Sequence, residues 1–169
     1  MQPFPQESSI RAEASLQLVH VDLCGKMNTQ ALGGYSYYFA LIDDYNRKTW
    51  AYFLREKSQA FGIFKEWLAM VEVETRRKLK KPRTDRGGKF LSGEFIAYCK
   101  ERGIKRQLTN AHTLQQNDIG ERKNRTIVEM ARSMLNGKGL PNSFWAEVVN
   151  TIVYILNRSA RKELEGKTP

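Results

Sequence analysis

Residues 83–90 read RTDRGGKF and residues 115–124 read QQNDIGERKN, and how these two segments relate decides the fold. Each carries an acidic residue, Asp85 and Glu121, with thirty-five residues between them. Gly87 and Gly88 follow the first; a basic helical run with Arg122, Lys123 and Arg125 follows the second. Carboxylates this far apart in sequence meet only if a compact fold brings one segment back over the other. A third, Asp22 in HVDLCG, sits on what reads as the first strand. Three acidic groups from three elements of a strongly basic chain point to a divalent-metal site acting on a polyanion.

At 169 residues the chain suits one domain that buries about 70% of its unfolded surface around a single core. The formal charge of +10 favours a phosphate-rich partner, because lysines and arginines release counterions from nucleic acid. Charge alone leaves a solvated basic surface open as the alternative. Cys24 and Cys99 lie in unrelated segments, which excludes a disulfide framework and a C-x-x-C zinc site. The longest apolar run, residues 37–42, is far short of the roughly 20 residues that span a bilayer. No charged-then-apolar leader is visible, so an intracellular protein is expected, neither secreted nor membrane-bound.

Residues 1–15, polar and carrying Pro3 and Pro5, read as a linker or tail. Leu16–Cys24 is apolar on both faces, as a buried central strand is, so Asp22 within it has to be paired, protonated or metal-bound. YSYYFALID and TWAYFLR read as a hairpin joined by a short polar link that holds Asp43 and Asp44, turn formers or partners for Arg47 rather than metal ligands. Ser58 is placed to cap a helix with Phe61, Phe64, Leu68 and Val71 inward. The basic run RRKLKKPR, residues 76–83, either binds phosphate or is solvated, and Pro82 predicts a short fourth strand. A helix over 92–102, stopped at Gly103, and a strand over 104–108 follow. His112 falls on a polar loop and reads as a surface residue. A helix from Asp118 carries Ile119, Ile127, Met130 and Met134 on one stripe with Glu121 opposite, where Asp118 and Glu121 also fit a capping box. A last helix starts at Pro141, and 159–169 is a polar tail. The expectation is an α/β core over 16–158, a five-stranded mixed sheet with its first three strands antiparallel, flanked by helices.

HVDLCG, IDDYNRKTW, RTDRGGKF, QQNDIGERKNRTIVEMARSML, FWAEVVNTIVYILNRS and GKTP closely resemble the integrase catalytic core of copia-type retrotransposons, in order and over nearly the whole chain. The resemblance implies the RNase H-like fold of retroviral integrases and a triad of Asp22, Asp85 and Glu121. It implies two Mg²⁺ or Mn²⁺ ions held by those three, and a polynucleotidyl transferase that trims element DNA ends and joins them to target DNA. Gln115, Gln116 and Asn117 would contact that DNA and Arg125 would hold a phosphate; Arg122 and Lys123 do likewise or are ordinary surface charges. A homo-oligomer acting in the nucleus or in a cytoplasmic particle is implied as well. Where the family usually has Pro, an aliphatic residue, Glu, Pro and a small residue, this chain has Lys26, Pro82, Lys89, Leu114 and Asp118. Residues 1–9 resemble the linker after the family's zinc-binding module, so no zinc is expected in these residues, and the chain reads as an isolated or decayed core. That leaves a non-catalytic nucleic-acid-binding remnant as the second reading. A ribonuclease H is a third, disfavoured because Asp43 and Asp44 are poorly placed to supply a fourth carboxylate.

Overall fold

The computed structural model describes residues 11–84, 92–108, 118–160 and 164–169. Along the chain run β1 (Leu18–Cys24), β2 (Tyr37–Asp43), β3 (Thr49–Leu54), α1 (Ala60–Thr75), β4 (Lys81–Thr84), α2 (Gly93–Glu101), β5 (Gln107–Leu108), α3 (Asp118–Lys138) and α4 (Trp145–Arg158). The strands form one sheet in the order β3-β2-β1-β4-β5. The β1–β2 and β2–β3 pairs are antiparallel, and β1–β4 and β4–β5 are parallel. This is the mixed five-stranded α/β sheet that the sequence predicts.

Alternation along the strands divides the core into two layers. Val19 and Val21 of β1 and Phe39 and Leu41 of β2 pack against Phe64, Trp67, Leu68 and Phe95 of α1 and α2. Tyr38 and Ala40 pack on the other side against Ile127, Ala131 and Leu135 of α3 and Trp145 and Ile152 of α4. His20, Asp22 and Cys24 alternate with Val19 and Val21 and so belong to the α3/α4 side.

Local departures from the sequence reading have local causes. β1 begins at Leu18 because Leu16 turns out of extended backbone at φ 62°, fully buried, with its amide donating to Asp43 Oδ2 at 2.8 Å. Ser58 does not cap α1: a 3₁₀ turn over Lys57–Gln59 precedes the helix, and Glu56 and Gln59 form a reciprocal capping box there. The Ser58 hydroxyl donates to Glu56 instead. β4 is short, as Pro82 predicts, yet Pro82 is buried and pairs with Val19 inside the sheet. The missing N–H is tolerated because β5 engages only Arg83 and Thr84, one residue further on.

Asp43 and Asp44 anchor the turn between β2 and β3 from inside. Asp43 accepts from the amides of Leu16, Tyr45 and Asn46. Asp44 accepts from the Ala12 amide at 2.8 Å, lies 2.8 Å from His20 Nε2, and pairs with Arg47 at 3.1 Å, so residues 11–15 are tied to this turn. Burial pushes the Asp44 carboxyl up, but the His20 hydrogen bond, the Ala12 amide and the charge of Arg47 outweigh it and hold the group well below the ordinary carboxylate range. Burial pulls His20 below its ordinary value of 6.5, against the weaker upward pull of Asp44. The unfolded chain therefore takes up a proton near that pH which the folded chain refuses, so the stability from neutral His20 is full above it and lost as pH falls through it. Asp44 acts in the same direction at lower pH, since its contribution is lost only as pH falls through its depressed folded value. Between about pH 7.5 and 5.5, urea unfolding is expected to show stability decreasing with acidification by at most about 1.4 kcal/mol per pH unit from this histidine. His20→Gln is expected to flatten that slope; equal slopes in the two proteins would refute the assignment.

Candidate active site

Asp22 lies on β1 opposite Ala40 of β2, half-buried, on the sheet face that α3 covers. A carboxylate there needs a partner, because an unpaired charge in such a place costs several kcal/mol. Asn124 supplies one: its Nδ2 donates to Asp22 Oδ2 at 2.5 Å, and its Oδ1 accepts from the Tyr38 hydroxyl. Asn124 and Tyr38 are both buried, so α3 is held to β1 and β2 through one side-chain amide. Cys24 Sγ lies 3.6 Å from Asp22 Oδ2. Burial first, then the Asp22 charge, pushes the Cys24 thiol up; burial and the charges of Cys24 and Asp22 do the same to the Tyr38 hydroxyl.

Glu121 sits three residues before Asn124 in α3, about 4.5 Å along the axis and on the same side, and it is exposed. Gly120 fixes how closely that first turn approaches the sheet. A Cβ there would stand 3.3 Å from His20 Cβ, so α3 presses its backbone against β1 two residues before Asp22. Arg122 and Arg125 are exposed and Lys123 is half-buried. Asp85 lies outside the described residues, as do Gly87, Gly88, Lys89, His112, Leu114, Gln115, Gln116, Asn117 and the side chain of Asp118. β4 ends beside the site all the same: Thr84, bonded to Asp85 in the chain, is paired with Val21, bonded to Asp22. Among the described residues no three His, Cys, Asp or Glu side chains cluster to hold a metal ion.

Sequence reasoning missed Asn124. The signal was present: Gly120, Asn124, Ile127, Ala131 and Leu135 share one buried stripe of α3, and Asn124 is its polar member. An amide at a core position marks a buried polar partner waiting across the interface. Asn124→Ala removes the acceptor of the Tyr38 hydroxyl and one donor to the Asp22 carboxylate, and is expected to lower the unfolding free energy by about 2 kcal/mol. In a double-mutant cycle, Tyr38→Phe should cost markedly less when combined with Asn124→Ala than alone, and strict additivity would show that the two groups do not interact.

The integrase core domain family matches residues 12–113, more than half of the chain. The retrovirus-related Pol polyprotein from tobacco transposon TNT 1-94 is 46% identical over 97% of this chain, which spans only 12% of that polyprotein. The catalytic core domain of HTLV-2 integrase, solved in complex with magnesium in a trimeric form, superposes with a TM-score of 0.67 at 19% identity, covering 94% of this chain and 96% of that one. A chain of the simian T-cell lymphotropic virus intasome, bound to a PP2A regulatory subunit, reaches 0.70 at 14% identity, with 94% and 54% covered. These structural likenesses establish the RNase H-like fold, and no helix among the described residues is long and apolar enough to cross a membrane. From the family match and the shared sheet, this chain belongs to the integrase core domain family of retrotransposon Pol polyproteins.

Proposed function

We propose that the chain is the catalytic core of a retrotransposon integrase, over about residues 16–158, a metal-dependent polynucleotidyl transferase that processes the 3′ ends of element DNA and transfers them into target DNA. The observation that carries this reading is the Asp22–Asn124 hydrogen bond, because it holds the helix of Glu121 against the strand of Asp22 beside the end of β4 that leads to Asp85. Three oxygen-donor carboxylates suit hard divalent ions. The charge of Asp22, felt by both Cys24 and Tyr38, is one that a cation would offset. Asp22, Asp85 and Glu121 would hold two Mg²⁺ or Mn²⁺ ions, which when bound supply activation of the attacking oxygen and charge stabilisation at the leaving one.

The chain's own residues do the rest. Asn124 orients the Asp22 carboxylate through a directional amide contact, as outer partners of metal-binding carboxylates generally do. Arg125, one turn beyond Glu121, holds a DNA phosphate; Gln115, Gln116 and Asn117 contact the DNA, and Arg122 and Lys123 add phosphate attraction. DNA is the partner, with a second copy of the chain as the default assembly, in the nucleus or a cytoplasmic particle.

Purified protein is expected to nick element-end DNA in the presence of Mg²⁺ or Mn²⁺. Asp85→Asn should abolish nicking while leaving DNA binding intact. Glu121→Gln should abolish it too, with a loss of no more than a couple of degrees in metal-free melting temperature, as befits an exposed residue at a helix start. DNA binding without any Mn²⁺-dependent cleavage would favour a non-catalytic remnant of an integrase.

A further inference from the structure

Half the sheet is parallel, and that gives the molecule two chemically different ends. Asp22 and the Thr84 end of β4 lie at the carboxyl end of β1 and β4, while Leu18 pairs with Lys81 at the opposite end, about 13 Å from Asp22 by strand rise. Two connections enter the sheet at that far end: residues 76–80 between α1 and β4, and residues 102–106 between α2 and β5. The first connection and the start of β4 carry Arg76, Arg77, Lys78, Lys80 and Lys81, all exposed. The second brings Arg102, Lys105 and Arg106, with Lys100 on the turn of α2 before it.

The two connections are fastened together. The Lys105 amide donates to the Lys80 carbonyl at 3.0 Å, and the Lys80 amide to the Leu16 carbonyl at 2.9 Å. Beneath them the buried Glu72 accepts from Lys78 Nζ at 2.9 Å, Arg102 Nη2 at 2.6 Å and the Leu79 amide at 3.1 Å. Over residues 72–81 and 100–106, nine lysines and arginines face three glutamates, Glu72, Glu74 and Glu101. That excess of six is more than half of the chain's net +10, concentrated on one backbone-braced surface.

Cations are also welcome at helix C-termini, where they offset the helix dipole, but that effect is confined to the last turn. It accounts for positions such as Arg76 and Lys100 and not for Lys80, Lys81 or Lys105, which lie on strand entries. The exposed large apolar side chains among the described residues, Tyr45, Met70, Val73 and Tyr154 among them, fall outside the two connections, so these connections offer no exposed aromatic platform for stacking unpaired bases. Charge without stacking suits the phosphate backbone of a duplex, read without regard to sequence.

We infer that this far end is a second nucleic-acid-binding surface, formed by the α1–β4 and α2–β5 connections, that grips duplex phosphates apart from the candidate active site. It does not depend on whether the chain cleaves DNA, so its test needs no catalysis. The test measures fluorescence anisotropy of a short random-sequence DNA duplex across a salt series, for the unaltered protein, for R76Q/R77Q/K80Q/K81Q, and for R122Q/R125Q on α3. The first variant leaves the Glu72 contacts in place, and circular dichroism melting checks that it folds. It is expected to bind about tenfold or more weakly at moderate salt, with the log–log salt slope shallower by roughly 2 to 4, one phosphate contact being worth about 0.9. The loss should add to that of the α3 variant rather than replace it. Unchanged affinity and slope in the folded far-end variant would overturn the inference. So would equally tight, equally charge-dependent binding of polyglutamate, which would reassign the surface to an acidic protein.

Discussion

A carboxylate on the central strand of a packed sheet is the constraint that organises this molecule. Asp22 faces the layer under α3 and α4, and a lone charge there would work against the burial that holds the layer together. The amide of Asn124 resolves the conflict by donating to Asp22 while accepting from Tyr38. Both groups it serves are on the sheet, so the helix cannot slide or rotate without breaking two hydrogen bonds in a low-dielectric setting. Gly120 works with it from the turn before, letting the backbone of α3 come down on His20. The depth and rotation of the helix that carries Glu121 are thus set by polar contacts to the strand that carries Asp22.

A comparable economy of buried charge holds wherever an acidic side chain is enclosed. Asp43 and Asp44 take up amides from the chain ahead of β1, and His20 completes the cluster by staying neutral. Glu72 ties α1 to the turn before β4 and to the end of α2. The Asp44 and Glu72 clusters lie at the end of the sheet where β1 and β4 begin, and Asp22 lies towards the other end of β1. Two are saturated by backbone amides and fixed cations and are structural. Asp22 accepts from a side-chain amide and stands beside a thiol, and its charge raises the affinity of Cys24 and Tyr38 for their protons.

The order and type of the strands and α-helices among the described residues were legible in the sequence, because YYFALID is an unbroken run of strand formers, buried on both faces, and apolar residues recur at steps of three and four from Phe64 to Val71. The family's motifs pointed to the triad and the topology together. What escaped were features defined by tertiary partners. Ser58 has the chemistry of a cap, but Glu56 and Gln59 close a box one turn earlier, and only the folded arrangement decides between them. Pro82 argues against an interior strand until β5 proves too short to need its missing N–H. Asn124 looked like one more polar residue in a basic helix, and its importance emerges only once the buried stripe is drawn through it.

The parallel half of the sheet also explains why the basic charge is not spread evenly. In an α/β arrangement the carboxyl ends of the strands are where loops converge on a reaction, and acidic ligands belong there. On the proposed reading, a carboxylate centre that meets a polyanion faces repulsion at the site itself, so attraction would come from cations placed elsewhere. Those on α3 lie beside Glu121, where they offset the carboxylates locally. Those on the α1–β4 and α2–β5 connections lie at the other end, too far to perturb the site within a Debye length of about 8–10 Å, and on the inference above would raise the encounter rate with duplex that approaches that face. Separating attraction from chemistry in this way would let one fold hold both signs of charge without neutralising either.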